Sequence, residues 1–336
     1  MPIRKTLALL GSVTFGLVFL VSARPPKLEP PGFLFIANQY EHTALLLDLE
    51  TKKVVSRIEV GVNGHEVAVD PAGHFGYVPI YGNAGVGRPG TDGDRIDIID
   101  LKEGKLAGSI PMGKPVRPHC AKFGPDGFLY VSAELAQAIY VVDVKARKVV
   151  AEIPTGAIES HMFVLSPDGK RAYTSNVHAG SVSVLDLEKR SLITVIPVSK
   201  IVQRISISPD GKHVFTHDQE TPRIAAIDTA TNKISGWIDV PSTVYSSAPL
   251  DNHGMVAYSP AGKVFFIDLE LLQKVNESDS CKALGELSIT PDGNHAYLTC
   301  PATGQLLGYN TRTGKSDPEI NLTNGVDGIQ WFPTVK

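Results

Sequence analysis

The triplet Pro-Asp-Gly recurs at Pro125, Pro167, Pro209 and Pro291, with Pro-Ala-Gly at Pro71 and a degenerate Asn-His-Gly at Asn252. Proline presets φ for a turn and glycine supplies the positive φ that other residues resist, so each copy reads as the tip of a hairpin. A β-branched run such as RISISP or ELSITP precedes the turn, and HAYLT, RAYTS or HVFTH follows it. A third strand then recurs seven times: ALLLDL, IDIIDL, IYVVDV, VSVLDL, IAAIDT, VFFIDL and LLGYNT. A fourth follows, as in KVVSRIEV, KVVAEIPT and SLITVIPV. The repeating unit is therefore four short strands joined by turns.

The residue six before each turn proline opens the inner strand of its unit. Those positions are His65, His119, His161, Gln203, Ser246 and Gly285, spaced by 54, 42, 42, 43 and 39 residues. A period near 42 with four strands marks a propeller blade. The expected fold is all-β, a single seven-bladed β-propeller with four antiparallel strands per blade. The first unit, from Gly32, lacks an opening strand, and VDGIQWFP near the chain end supplies one, with Asp327 at the marked position. The C-terminal strand, 326–333, is thus expected to complete the first blade and close the ring, which removes exposed sheet edges.

Ahead of the repeats, residues 1–23 carry a basic start (Arg4, Lys5), an apolar stretch from Leu7 to Val21 and the small residues Ser22 and Ala23. This is the layout of a secretory signal peptide cleaved after Ala23. The apolar stretch is shorter than the ~20 residues of a spanning helix, which favours cleavage over a membrane anchor. Residues 24–32 read as a Pro-rich linker and 33–336 as the propeller. The expected location is periplasmic or secreted, with no stable membrane span after cleavage, and the expected state is a monomer. The formal net charge is −3 and the lysines and arginines are scattered, so there is no basic footprint for nucleic acid. Cys281 and Cys300 flank one predicted hairpin and could form a disulfide in an oxidising compartment or stay as buried thiols; spacing does not decide between them. Cys120 is left over.

In a propeller, the loops entering the inner strands share one face with the loops after the second strands, and ligands bind there over the central channel. The marked position brings His65, His119, His161 and Gln203 from four consecutive blades to that mouth. Three neutral imidazoles and a carbonyl-type ligand could hold a divalent transition metal, the one cofactor this pattern suggests. Each histidine could equally hydrogen-bond a neighbouring backbone group. Tyr81, Glu134, Asn176, His178 and the pair His217-Asp218 end the second strands, and with Asp327 they are candidates for ligand contact. Glu134 and Glu66 are candidates for proton transfer. Glu66 and Arg204 adjoin marked positions and should point to the other side of their strands, where they could instead form inter-blade ion pairs. Arg117 could bind a carboxylate or phosphate, or lie on the surface. The spacing of 54 places an insertion in YGNAGVGRPGTDGDR, beside the rim. It lacks the Gly-Lys-Ser/Thr ending of a phosphate-cradling loop, and Asp92 and Asp94 are a weak calcium signal. No CxxCH or GxSxG occurs.

The words SPDGKRAYTSN and SVSVLDL resemble the repeat of the YVTN family of propellers, and residues 32–333 as a whole resemble its periplasmic YncE-like branch. The resemblance implies the fold. It spans haem-binding domains of nitrite reductases, lactonases, lyases and proteins with no known reaction, so function must come from the site. Three functions stay open: a propeller binding a small molecule or a protein partner at the channel mouth; a metal-dependent lyase or lactonase acting on a sugar acid through the set of three histidines and a glutamine; and a d1-type haem or tetrapyrrole-binding protein.

Overall fold

Each turn signal closes a hairpin, and hairpins in register build blades. The computed structural model describes residues 32–282 and 285–333. The signal-peptide and linker readings lie outside the described residues, except at Gly32, which is not linker but the first residue of a strand paired with Pro333. There are seven four-stranded antiparallel sheets. Blade 1 has Val326–Pro333 innermost, then Gly32–Asn38, Thr43–Asp48 and Lys53–Glu59. The C-terminal strand therefore closes the ring as the repeat pattern requires. Blades 2 to 7 run through the chain in order, with inner strands Ala68–Val69, Pro118–Phe123, Ser160–Leu165, Val202–Ile207, Ser246–Pro249 and Leu287–Ile289.

Blades pack face to face, and the alternating apolar residues of the middle strands fill the seams between them. Phe163, Tyr173 and Val184 of blade 4 meet Cys120 and Tyr130 of blade 3 and Ile205 and Val214 of blade 5 in one cluster. Full burial of such side chains is worth roughly 1.5–3 kcal/mol each. Polar ties cross the same seams. A second-strand hydroxyl donates to the carbonyl of the marked residue in the next blade: Ser132 to His161 (2.7 Å), Ser175 to Gln203 (2.5 Å) and Thr299 to Asp327 (2.8 Å). At Gly285 a Cβ would stand 1.8 Å from the Thr299 carbonyl oxygen, so close packing leaves room for no side chain at that marked position.

Cys281 and Cys300 are joined in a disulfide, with Cα atoms 6.1 Å apart, and Cys120 is a buried free thiol. Among the described residues no helix is long and apolar enough to cross a membrane.

Candidate ligand site in the central channel

The inner strands do not run straight into their blades. Their pairing slips at Ser160/Met162, Pro118/Ala121, Val202/Ile205 and, through the adjoining strand, Ile36/Asn38. The residues left unpaired in these bulges are His161, then His119 and Cys120, then Gln203 and Arg204, and Asp327 falls in the fourth. A bulge re-aims side chains away from the regular alternation. The approach is also set by backbone: Asn63, Arg117, Glu159 and Gly325, each two residues before a marked position, have φ of 56°, 51°, 55° and 91°. Three of the four are not glycine, and non-glycine residues at positive φ are uncommon outside special sites.

The outcome is a column of imidazoles. The ring centroids of His65 and His119 lie 4.1 Å apart, and those of His119 and His161 3.7 Å apart. Tyr81 packs edge-on against both His65 and His119. Its hydroxyl donates to Glu134 (2.9 Å to Oε2), and His161 Nδ1 lies 3.0 Å from the same oxygen. Burial would raise the Glu134 carboxyl, but His161, Tyr81 and Arg117 together hold it below the usual range. It therefore accepts from both, which places the His161 proton on Nδ1. Burial lowers His161 and Glu134 opposes the shift; burial and repulsion from the neighbouring imidazoles push His119 well below an ordinary histidine. Both are neutral near pH 7. His119 is wholly buried, and among the described residues neither of its ring nitrogens has a hydrogen-bond partner. His65, partly exposed, has Nδ1 3.3 Å from Asp327 Oδ2, and Gln39 Nε2 donates to the same carboxylate oxygen at 2.5 Å.

A second cluster crosses the lumen. Arg204 of blade 5 reaches Glu66 on the blade 2 side at 2.5 Å and also contacts Glu286, at the entry to blade 7. Its guanidinium lies 4.8 Å over the Tyr245 ring. These are pairs between blades, as the sequence allowed, but between blades that are not neighbours. In blade 2 regular pairing starts only at Ala68, so His65 and Glu66 are not held to opposite sides. One cation faces two carboxylates. Burial drives Glu286 up to about 8, against the pull of Arg204 and helped by repulsion from Glu66. Beyond this cluster the channel widens into a cavity of about 570 Å³, lined by Glu66, Glu286, Lys122 and Ser288 among apolar residues such as Met162 and Ile329.

Several rim candidates have other tasks. Asn176 is not at an open rim: it is buried, accepting from Ser160 and Thr174 and donating to Ser181 and Ser183. Asp218 caps the following turn through the Glu220 and Thr221 amides and pairs with Arg223. Arg117 is neither on the surface nor free for a ligand. Its donors go to Asp92, the Gly85 and Arg88 carbonyls and, at 3.5 Å, Glu134. The inserted loop thus folds over Arg117, and Asp92 is occupied by a guanidinium. His178 is half exposed and paired with Glu159 at 2.5 Å. His217 is buried; Nδ1 lies 3.2 Å from the Tyr245 carbonyl and Nε2 2.7 Å from Ser247 Oγ. The Gln203 carbonyl takes the Ser175 hydroxyl. Four participants were not singled out from sequence: Gln39, Glu159, Tyr245 and Glu286. Glu286 follows marked Gly285 just as Glu66 follows His65, and that parallel could have found it.

No family model matches the chain. It is 24% identical over 302 residues to the uncharacterized protein YwhL of Bacillus subtilis, covering 85% of this chain and 62% of that protein. It is 23% identical over 227 residues to the uncharacterized protein YncE of Salmonella typhi, covering 62% of this chain and 64% of that one. The chain thus spans less than two thirds of the length of these curated relatives. Among solved structures, Kuenenia stuttgartiensis hydrazine synthase superposes with a TM-score of 0.68 at 20% identity, over 90% of this chain and 99% of that one. The dihydro-heme d1 dehydrogenase NirN in complex with DHE superposes with a TM-score of 0.65 at 15% identity, over 91% and 77%. These likenesses establish the β-propeller fold, reached independently by the sheet order.

Proposed function

We propose that the protein is an exported, YncE-like propeller that binds a small molecule in its central channel. The observation that carries this reading is the Glu66–Arg204–Glu286 cluster, whose carboxylates line the cavity. A buried ionic triad is seldom the most stabilising filling for a core, so its position argues for use rather than for fold. A cavity of about 570 Å³ suits a small ligand better than a protein segment, since ligand pockets span ~300–1,000 Å³. Apolar walls would hold the body of the ligand, with Lys122 and the cluster orienting a polar head.

The lyase or lactonase reading rests on Glu66, the carboxylate candidate that lines this cavity and has His65 and His119 close by; Glu134 is engaged with Tyr81 and His161 instead. The tetrapyrrole reading rests on fold likeness to a dihydro-heme d1 dehydrogenase alone.

A thermal-shift panel of sugar acids, other small carboxylic acids and tetrapyrroles tests the proposal. Ala248 lines the cavity and is half-buried, so Ala248→Trp should plug it. At least one compound is expected to raise the unfolding temperature of the wild type and to leave Ala248→Trp unmoved. No response in the wild type, or equal responses in both proteins, would overturn the reading.

A further inference from the structure

Among the described His, Cys, Asp and Glu side chains, one group brings three donor atoms within 4.8 Å of one another: His65, Glu66 and His119. This is not the set that the repeat position suggested, because His161 Nδ1 is turned onto Glu134 and the neighbouring carboxylate takes its place. We infer that His65, Glu66 and His119 form a divalent transition-metal site of two imidazoles and one carboxylate at the channel wall.

Four observations converge on it. His119 is wholly buried with both ring nitrogens unpartnered among the described residues. A buried polar side chain without a partner costs about 1–3 kcal/mol, and a bound ion removes that cost. Asp327 stands 3.3 Å from His65 Nδ1, the carboxylate–histidine pairing that fixes a metal ligand's tautomer; the Gln39 amide, 3.2 Å from Nε2, must turn aside for that nitrogen to bind an ion. Arg204 engages Glu66 through Oε1, so Oε2 is the oxygen available to an ion. Finally, the bulge and the positive-φ entry at Arg117 aim His119 into the column rather than along its strand.

Tetrahedral donors at about 2.1 Å from one ion stand ~3.4 Å apart, so a pair near the 4.8 Å limit must close by roughly 1.4 Å on binding. Two imidazoles and a carboxylate with further positions open suit Zn²⁺, Fe²⁺, Co²⁺ or Mn²⁺.

This site rests on the channel reading above, yet the two fail separately. Chelator-treated protein is titrated with Co²⁺, following its visible ligand-field bands, and with Zn²⁺ by calorimetry. One equivalent of each is expected to bind. His119→Phe keeps the ring stack and should abolish binding. His65→Asn, at the partly exposed end, should weaken it about 100-fold, and Glu66→Gln about 10–100-fold. His178→Ala, outside the column, should bind like the wild type. Metal binding is read with no organic ligand present, which separates this site from the cavity. Absence of Co²⁺ bands in the wild type, or unchanged binding in both folded His119→Phe and His65→Asn, would overturn the inference whatever the ligand panel gives.

Discussion

Replacing Arg204 with methionine should destabilise the protein by about 3–5 kcal/mol at neutral pH. Arg204 is buried, and it is the cation shared by Glu66 and Glu286 across the lumen. Methionine keeps much of the stem's packing but leaves the Glu66 carboxylate without its counter-charge, beside a Glu286 carboxyl that burial keeps largely protonated at neutral pH. Urea unfolding of the variant reads the loss directly. The triple variant Glu66→Gln, Arg204→Met, Glu286→Gln should return to within about 1 kcal/mol of the wild type, because no charge is then stranded. A loss below about 1 kcal/mol in Arg204→Met alone would mean that water already solvates Glu66. The pair of results would separate what the fold requires from what the channel retains.

Acid should destabilise the protein through His217. Burial pushes this imidazole down to about 3, with the hydrogen bond to the Tyr245 carbonyl opposing and Arg204 reinforcing. Its contacts are those of a neutral ring, with Nδ1–H donating to Tyr245 and Nε2 accepting from Ser247. Below about pH 6.5 the unfolded chain takes up a proton that the folded chain refuses until about pH 3. The unfolded state therefore binds more protons throughout that window, and stability falls as pH falls. One such group contributes a slope of about 1.4 kcal/mol per pH unit, and a total on the order of 4 kcal/mol across the window. In His217→Gln the amide can still donate to the Tyr245 carbonyl, while the proton uptake is gone. Urea-derived stabilities between about pH 4 and 6 should therefore fall less steeply in the variant, by about that slope. Equal slopes would mean that the folded protein protonates His217 near its ordinary value.

The fold was legible because its signals are local. Pro-Asp-Gly fixes each hairpin tip, the third strand repeats seven times, and VDGIQWFP matches the one vacancy in the pattern. The convergence of His65, His119 and His161 was legible for the same reason, since the repeat places one such residue per blade at the axis. What the sequence concealed depends on contacts between distant blades. Nothing near Arg204 announces that Glu66 and Glu286 will meet it from blades two or more places away. Strict alternation, a sound rule inside a regular strand, fails at residues 65–66 because pairing is interrupted there, between an isolated Gly64–Ile80 bridge and the strand that starts at Ala68. The register shifts at His119 and His161 carry no signal in their own strands such as a glycine. Asn176 was misplaced at the rim because an amide at a strand end looks the same whether it faces solvent or four hydroxyls. The Cys281–Cys300 bond needed the position of a connecting segment against a strand end, which spacing does not supply.

The central claim is that the channel is built to be filled. The most direct measurement is a crystal structure of the untagged protein purified without chelators. The account predicts non-water density in the lumen, lying between the His119 ring and the Glu286 carboxyl and contacting Glu66. Ordered waters alone, hydrogen-bonded to His119 and Arg204 throughout the channel, would contradict it.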